Sequence, residues 1–281
     1  HQEIFLREII SNASDAIDKL AYQALTDEKV GLSRSDFAIQ LKVDEPSRTL
    51  TVSDNGIGMD HDEMENNLGT ICKSGSLQFK KDMEKQDDID IIGQFGVGFY
   101  SAFMVADTVT VISRKYGSDE AWKWTSSGAD GYTMEPAERE SAGTDVIMTL
   151  KADTEDEQYS RFLKTWELQK LVKKYSDYIR YPIKLEMEKS RMKEETKDSD
   201  KPEYETYTEN ETLNSMVPLW QRAKKDVTDE EYENFYRDKF FDYNKPLRII
   251  HSSAEGAVSF KALLFIPGKA PFDFYSKDYK R

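Results

Sequence analysis

The sequence has few of the residues that cross-link a small domain or hold a metal ion in it. Its 281 residues include a single cysteine, Cys72, and three histidines, at positions 1, 61 and 251. One thiol cannot form an internal disulfide, and the histidine spacing matches no recognisable zinc motif. A reducing, cytoplasmic location fits this composition best.

Long apolar runs and an excess of positive charge are also absent. No apolar run is long enough to span a membrane, and the N-terminus lacks the apolar region and cleavage site of a signal peptide. A net charge of -14 repels the phosphates of nucleic acids. We therefore expect neither a membrane nor a nucleic acid as partner. The hydrophobic fraction of 38% still allows a sizeable core and more than one domain.

The most informative stretch runs from Thr51 to Met59, where a strand pattern leads into a carboxylate and two glycines. One interpretation is a hairpin, because Asn55-Gly56 is a strong two-residue turn signal and an aspartate at a turn commonly caps its own backbone. The other is a pocket in which Asp54 is a fixed hydrogen-bond acceptor. Gly56 and Gly58 would then let a flat ligand lie against bare backbone.

The first segment predicts a long amphipathic helix over residues 3–22. Glu8, Asn12 and Asp15 form a polar row beside its apolar stripe rather than opposite it. The row is either a wide solvated face or a carboxylate and an amide directed into a cleft. In the second case Asn12 offers an oxygen to a hard metal ion, and Glu8 could hold a water beside a phosphate. The apolar stripe consists of Leu6, Ile9, Ile10, Ala13, Ile17 and Leu20.

A second glycine-rich stretch, Gly93-x-x-Gly-x-Gly98, leads into a predicted short apolar helix over 99–106. Glycines that open a helix expose N–H groups to an anion, although a plain flexible turn explains them equally well. The spacing matches neither a dinucleotide fold nor a P-loop. The polar segment before it, which ends at Asp90, is predicted to be a lid because it is long and flanked by glycines.

The order of elements predicts an α+β fold with a mostly antiparallel sheet covered on one face by helices. Residues 60–71 and 159–179 have helical patterns. Strands are expected at 37–43, 49–53, 108–113, 121–125, 131–135 and 144–151.

Composition divides the chain into three parts. Residues 1–187 form the first domain. Residues 188–211 are highly charged with almost no apolar side chains, which predicts a linker without regular structure. Residues 212–281 begin a second α/β domain, with a helix over 229–240 and strands near 247–251 and 258–266.

Three blocks in fixed order, Glu8 with Asn12, Asp54-x-Gly-x-Gly and Gly93-x-x-Gly-x-Gly, resemble the ATP-binding (Bergerat) fold of gyrases, histidine kinases, mismatch-repair ATPases and heat-shock protein 90 chaperones. Longer motifs resemble the chaperone family over essentially the whole chain, and its bacterial branch best. These motifs are EIFLREIISNASDA from Glu3, LGTICKSG from Leu68, IGQFGVGFYSAF from Ile92 and LFIPGKAPFD from Leu264.

The resemblance implies a two-layer α/β sandwich that binds ATP or ADP with Mg²⁺, with residues of about 70–98 forming the lid. Asn12 would coordinate the ion, Glu8 would orient or deprotonate the attacking water, and Asp54 would accept the adenine amino group with Thr144 beside it. Gly58 and Met59 would lie along the base, and Asn67 and Lys73 would approach the ribose and α-phosphate. Backbone N–H groups of Gly96, Val97, Gly98 and Phe99 would meet the outer phosphates. The remaining implied nucleotide contacts are Asp15, Ala16, Ser74, Gly93, Gln94 and Phe95.

The implied function is an ATP-driven molecular chaperone, homodimeric at full length, with client proteins and co-chaperones as partners. Ansamycin- or resorcinol-type inhibitors are implied for the same pocket. The family has further residues before this start and a catalytic arginine beyond Arg281, so this chain is expected to bind nucleotide with weak or no turnover. The alternatives are a gyrase-like DNA-remodelling ATPase and a nucleotide-binding interaction module without turnover.

Overall fold

The computed structural model describes residues 2–69, 98–128 and 131–270. These residues divide into two compact units, His1–Met216 and Val217–Arg281. The first unit begins with helix α1 (Ile4–Ala24), strands β1 (Ile39–Asp44) and β2 (Thr49–Asp54), and helix α2 (His61–Met64). It continues with β3 (Ala106–Arg114), β4 (Ala121–Ser126), β5 (Tyr132–Ala137), β6 (Gly143–Leu150), α3 (Thr165–Tyr175), β7 (Ile183–Met192) and β8 (Tyr204–Thr212).

A single turn of π-helix, Glu65–Gly69, continues α2, and short 3-10 helices at Gly98–Met104 and Tyr159–Leu163 flank the central strands. In the described residues, the helical segments predicted over 60–71 and 159–179 are each divided into two shorter helices of different type. The helix predicted over 99–106 is a 3-10 helix that begins at Gly98 and ends at Met104. Asp60 caps α2: its side chain accepts the N–H of Glu63, whose carboxylate accepts the N–H of Asp60.

The eight strands of the first unit form one sheet in the order β5-β4-β3-β6-β2-β1-β7-β8. Every neighbouring pair is antiparallel except β1 and β7, which are parallel. The predicted α+β class with a mostly antiparallel sheet is confirmed. Because β6 lies between β3 and β2, the start of β6 and the end of β3 lie near Asp54, although both are distant from it in sequence.

Helix α1 supplies a large part of the core. Every residue of its predicted apolar stripe is buried, and the helix contacts β2, α3 and the 3-10 helix at Gly98–Met104. Each fully buried aliphatic side chain stabilises the fold by about 2 kcal/mol relative to an exposed one. Along β2, buried Leu50, Val52 and Asp54 alternate with partly exposed residues, so one face of the strand points into the core. A charged residue therefore occupies a core-facing position.

The expectation that residues 188–211 lack regular structure is wrong. Strands β7 and β8 pair across this segment from Lys184 opposite Thr212 to Met192 opposite Tyr204. Their charges are opposite across the hairpin, and ion pairs join Lys189 to Glu209 and Glu211, Arg191 to Glu205, and Lys193 to Glu203. Low apolar content predicted a linker, but cross-strand charge pairing and backbone hydrogen bonds order the segment instead.

The second unit contains helix α4 (Asp229–Phe240) and the antiparallel strands β9 (Arg248–Ala254) and β10 (Phe260–Ile266). The three elements match the predicted order. Thr228 caps α4 in a capping box with Glu231. No helix among the described residues is long and apolar enough to cross a membrane.

Candidate functional site

Asp54 ends β2 with its side chain buried, and 6% of its surface is exposed. Its Oδ1 accepts the backbone N–H of Gly56 at 2.8 Å. Burial raises the pKa of Asp54 to about 7, although the backbone N–H groups of Gly56 and Thr144 and the positive charge of Arg139 oppose that rise. An ionised carboxylate at this position is therefore costly and needs a compensating ligand or function.

The hairpin interpretation of Asn55-Gly56 is wrong. Strand β2 pairs with β1 and β6, and the chain continues from Gly56 into α2 rather than into a neighbouring strand. The Asn55 side chain instead joins two loops: its Nδ2 donates to the Asp36 carbonyl at 2.7 Å, and its Oδ1 accepts the N–H of Ala38 at 3.0 Å. The part of that interpretation in which the aspartate caps its own backbone is correct.

Gly56 and Gly58 have a structural role that the sequence did not reveal. A Cβ at Gly56 would lie 2.4 Å from the backbone of Ala16 in α1, and one at Gly58 would lie 1.9 Å from the carbonyl oxygen of Arg114. Gly58 also has φ of +70°. Both glycines let the turn after β2 approach other parts of the backbone. Their predicted contact with a flat ligand stays a prediction.

Two buried hydroxyls connect β6, β3 and this turn. The Oγ of Ser113 lies 2.7 Å from the Oγ1 of Thr144 and accepts the N–H of Met59 at 2.8 Å. Ser113 is opposite Thr144 in the β3–β6 ladder, and Thr144 is opposite Asp54 in the β6–β2 ladder. Ser113 was missed in the sequence because only this strand register brings it to the site.

Ser113→Ala is expected to destabilise the first unit by about 1 to 3 kcal/mol, because the buried N–H of Met59 and hydroxyl of Thr144 lose a shared partner. Urea unfolding of the variant measures the loss. Ser118→Ala is the matched control, because that hydroxyl accepts only from an exposed N–H, that of Glu120. Equal stability of the two variants would show that the buried hydroxyl pair contributes nothing.

Helix α1 carries the second group of predicted residues. The Oε1 of Glu8 accepts two hydrogen bonds from Arg7, at 2.5 and 3.0 Å, while its Oε2 lies 2.5 Å from the position that a Cβ at Gly98 would occupy. The structure therefore places Glu8 directly against the end of the glycine-rich stretch. Asn12 and Asp15 are exposed on the same helix. Partial desolvation of its carboxyl by neighbouring atoms and the negative charge of Asp18 raise the pKa of Asp15.

Helix α1 packs against the turn after β2 through Ala16. The carbonyl of Ala16 accepts the N–H of Ile57 at 3.0 Å, one residue from Gly56 and Gly58. Asn67 is exposed, and its Nδ2 lies 3.9 Å from the Sδ of Met59. The structure thus brings Ala16, Asp54, Gly58, Met59, Asn67 and Thr144 around one turn.

The glycine-rich stretch is described only from Gly98 onward. Gly98 and Phe99 are buried, and the Phe99 ring packs edge-on against Trp124 with centroids 5.6 Å apart. The predicted contacts Lys73, Ser74, Gly93, Gln94, Phe95, Gly96 and Val97 lie outside the described residues, as does the predicted lid up to residue 97.

Models of two protein families match the chain. Residues 2–154 match the model of the histidine kinase-, DNA gyrase B- and HSP90-like ATPases, which defines the class of the first unit. Residues 161–207 and 194–281 match the model of the Hsp90 protein family. The chain belongs to the Hsp90 family.

Bacterial chaperones are among its similar relatives. The chain is 53% identical over 281 residues to the chaperone protein HtpG of Clostridium botulinum, 55% to that of Clostridium acetobutylicum and 54% to that of Clostridium perfringens. Each alignment covers 100% of this chain and 44% of the relative. The chain thus spans less than half the length of these curated relatives.

Proposed function

We propose that the chain binds Mg-ATP between α1 and the ends of β2 and β6, and that its ATPase cycle drives the folding of client proteins. The observation that carries the nucleotide proposal is the buried carboxylate of Asp54. An ionised carboxylate offers about four acceptor positions, and the N–H of Gly56 fills one of them. An adenine amino group is a neutral donor of the right size to fill another.

The neighbouring residues support the same orientation of the base. Ser113 and Thr144 offer hydroxyls beside Asp54, and the fixed backbone of Gly58 and Met59 offers a flat surface next to it. Adenine would lie along that surface, with the ribose toward Asn67. This arrangement recognises the base by one acceptor and by shape, which suits a small planar ligand.

Helix α1 would serve the phosphate end. The exposed amide oxygen of Asn12 suits Mg²⁺, which prefers hard oxygen ligands and keeps several waters. When bound, the ion would neutralise phosphate charge. Arg7 occupies Oε1 of Glu8, so Oε2 is the oxygen available to orient a water or take its proton. Gly98 leaves room for that oxygen because it has no side chain.

The chaperone part of the proposal is supported by the relatives, which are named chaperones, and by the Hsp90 match over the second unit. That match favours a chaperone over a gyrase-like DNA-remodelling ATPase, as does the net charge of -14. Client proteins, co-chaperones, a homodimer and binding of ansamycin- or resorcinol-type inhibitors in the same pocket belong to this proposal.

Calorimetric titration with ATP, with and without Mg²⁺, tests the nucleotide proposal. We expect saturable binding of one ATP per chain that weakens when EDTA removes the metal. A folded chain that takes up no ATP in the presence of Mg²⁺ would overturn the proposal. Competition by adenosine would show that the base is recognised as well as the phosphates.

Glu8→Ala and Asn12→Ala are expected to separate turnover from binding. In the full-length protein, loss of the Glu8 carboxylate should leave ATP affinity within about twofold while lowering phosphate release by about a hundredfold or more, because it removes the group that activates water. Asn12→Ala should weaken ATP binding only when Mg²⁺ is present. Calorimetry and a phosphate-release assay on both variants check this. If Glu8→Ala releases phosphate at the unchanged rate, Glu8 has no catalytic role.

A further inference from the structure

Arg139, in the loop between β5 and β6, is tied to the main chain of Asp54. We propose that Arg139, balanced by Asp145, is a positioning residue that keeps Asp54 in its hydrogen-bond-accepting form and so sets the pH range in which the chain recognises adenine. This inference rests on the proposed nucleotide function. It concerns residues that lie outside the three motif blocks of the sequence.

The guanidinium of Arg139 makes four directed hydrogen bonds. Its Nη2 donates to the carbonyl of Asp54 at 2.9 Å and to Oδ1 of Asp145 at 3.2 Å, and its Nε donates to Oδ2 of Asp145 at 3.3 Å. Its Nη1 donates to the carbonyl of Ser141 at 2.7 Å. Four hydrogen bonds to three residues fix the orientation of the planar guanidinium, and only 14% of the Arg139 side chain is exposed. The positive charge therefore stays beside Asp54.

The surrounding backbone is built around this guanidinium. Gly143, the first residue of β6, has φ of +137°, and a Cβ there would lie 2.1 Å from the carbonyl oxygen of Asp54 and 2.7 Å from Nη1 of Arg139. Any side chain at Gly143 would push the two groups apart. From the other side, Nη1 of Arg114 donates to the carbonyls of Arg139 and Glu140 at 3.0 and 2.9 Å. These contacts hold the loop that carries Arg139.

The charged groups on the elements around Asp54 have opposite effects on the pKa of its carboxyl. Arg139 lowers the pKa of the Asp54 carboxyl and Asp145 raises it, while burial raises it most. Strand β3 ends in Arg114, and α1 meets the turn through Ala16, which follows Asp15. Strand β1 places the uncharged Ile39 opposite Asp54.

The balance matters because only the ionised carboxylate accepts from an amino group with both oxygens. A protonated Asp54 presents a donor hydrogen in place of one acceptor position. Since the pKa of Asp54 is about 7, loss of the Arg139 charge would leave the acid form dominant near neutral pH. Loss of the Asp145 charge would instead leave the ionised form dominant near neutral pH.

The test compares ATP affinity from pH 6 to pH 9 for Arg139→Gln, Asp145→Asn and Arg191→Gln. The last variant is the matched control, because it makes the same substitution in an exposed ion pair with Glu205 on the β7–β8 hairpin. The phosphates of ATP titrate identically in every measurement, so differences between variants report the protein.

Removing one neighbouring charge should move the midpoint of the pH profile by about one unit. We expect Arg139→Gln to bind ATP about fivefold more weakly than wild type at pH 7 and nearly as well at pH 9, which is what a shift of about one unit gives. Asp145→Asn should bind about fivefold more tightly than wild type at pH 6 for the same reason. Arg191→Gln should follow the wild-type profile.

Equal weakening of Arg139→Gln at every pH, or a shift of Asp145→Asn in the same direction as that of Arg139→Gln, would overturn the inference. If Arg139→Gln does not fold, the acid shift of Asp145→Asn alone decides it. A folded wild-type chain that binds no ATP refutes the proposed function instead. In that case the ¹³C titration of the Asp54 carboxyl in the same variants still tests the inference, with midpoints expected to move in opposite directions.

Discussion

Asp54→Asn is expected to abolish ATP binding and, at the same time, to stabilise the folded chain above pH 7. The asparagine amide replaces one acceptor oxygen with a donor, so the adenine amino group would meet a donor in the place of its partner. The stability gain has a separate origin. The pKa of the Asp54 carboxyl is about 7 in the folded chain, against the ordinary value of 3.8.

The folded state therefore binds a proton more tightly than the unfolded state. The stability that this proton provides is complete below pH 3.8 and is lost as the pH rises through 7. Between pH 5 and pH 8 the loss amounts to about 2 to 3 kcal/mol. Asparagine carries no charge, so the Asp54→Asn variant does not lose this stability as the pH rises. Relative to wild type, the variant should gain that amount between the two pH values.

Urea unfolding at pH 5 and pH 8, with calorimetry of ATP binding, measures both effects. Asp153→Asn is the contrasting control, because Ser160 donates two hydrogen bonds to this exposed carboxylate and lowers its pKa. Its removal should lower stability at pH 8 rather than raise it. Normal ATP binding by Asp54→Asn would refute the adenine assignment, and a stability difference independent of pH would refute the charge argument.

Gly58→Ala is expected to destabilise the first unit by about 3 kcal/mol and to weaken nucleotide binding. The new methyl group would fall 1.9 Å from the Arg114 carbonyl oxygen, and the backbone at this residue has φ of +70°. A left-handed backbone costs a non-glycine residue about 1 kcal/mol, and the forced backbone shift adds about 2 kcal/mol. The shift would also move Met59 away from Ser113, which holds its N–H.

Gly117→Ala separates the two costs. Gly117 has φ of +83°, but a Cβ there would meet nothing within 4 Å. It should therefore lose only the backbone cost of about 1 kcal/mol and retain ATP binding. Denaturant unfolding and calorimetry of the two variants give the comparison. Similar losses of stability would mean that the contact with Arg114 relaxes freely and does not fix the turn.

The local patterns of the sequence were sufficient to predict most helices and strands and the position of Asp54 in the candidate site. The apolar spacing of α1 predicted its buried stripe, and the alternation before Asp54 placed that carboxylate at the end of a strand. Both signals depend on residues within a few positions of one another. The resemblance to a known family added Thr144, which no local pattern marks.

The contacts that connect distant strands could not be predicted from local patterns. Ser113 and Arg139 reach the site only because β6 lies between β3 and β2 with a particular register. The space beside Gly56 and Gly58 likewise depends on Ala16 and Arg114, which are far from them in sequence. The β7–β8 hairpin was missed because ion pairs between its strands stabilise it. The composition of the segment gives the number of charges but not which of them are paired.

The β7–β8 hairpin also decides where the chain can be cut after the first unit. A chain shortened at residue 187 would lose β8 and Asn214, whose amide bonds the N–H of Ile183 and the carbonyls of Ile179 and Tyr181. The short remainder of β7 would then become an open sheet edge able to recruit a strand from another molecule. Ending the unit after Met216 keeps that edge covered, so self-association of a shortened protein depends on these last residues.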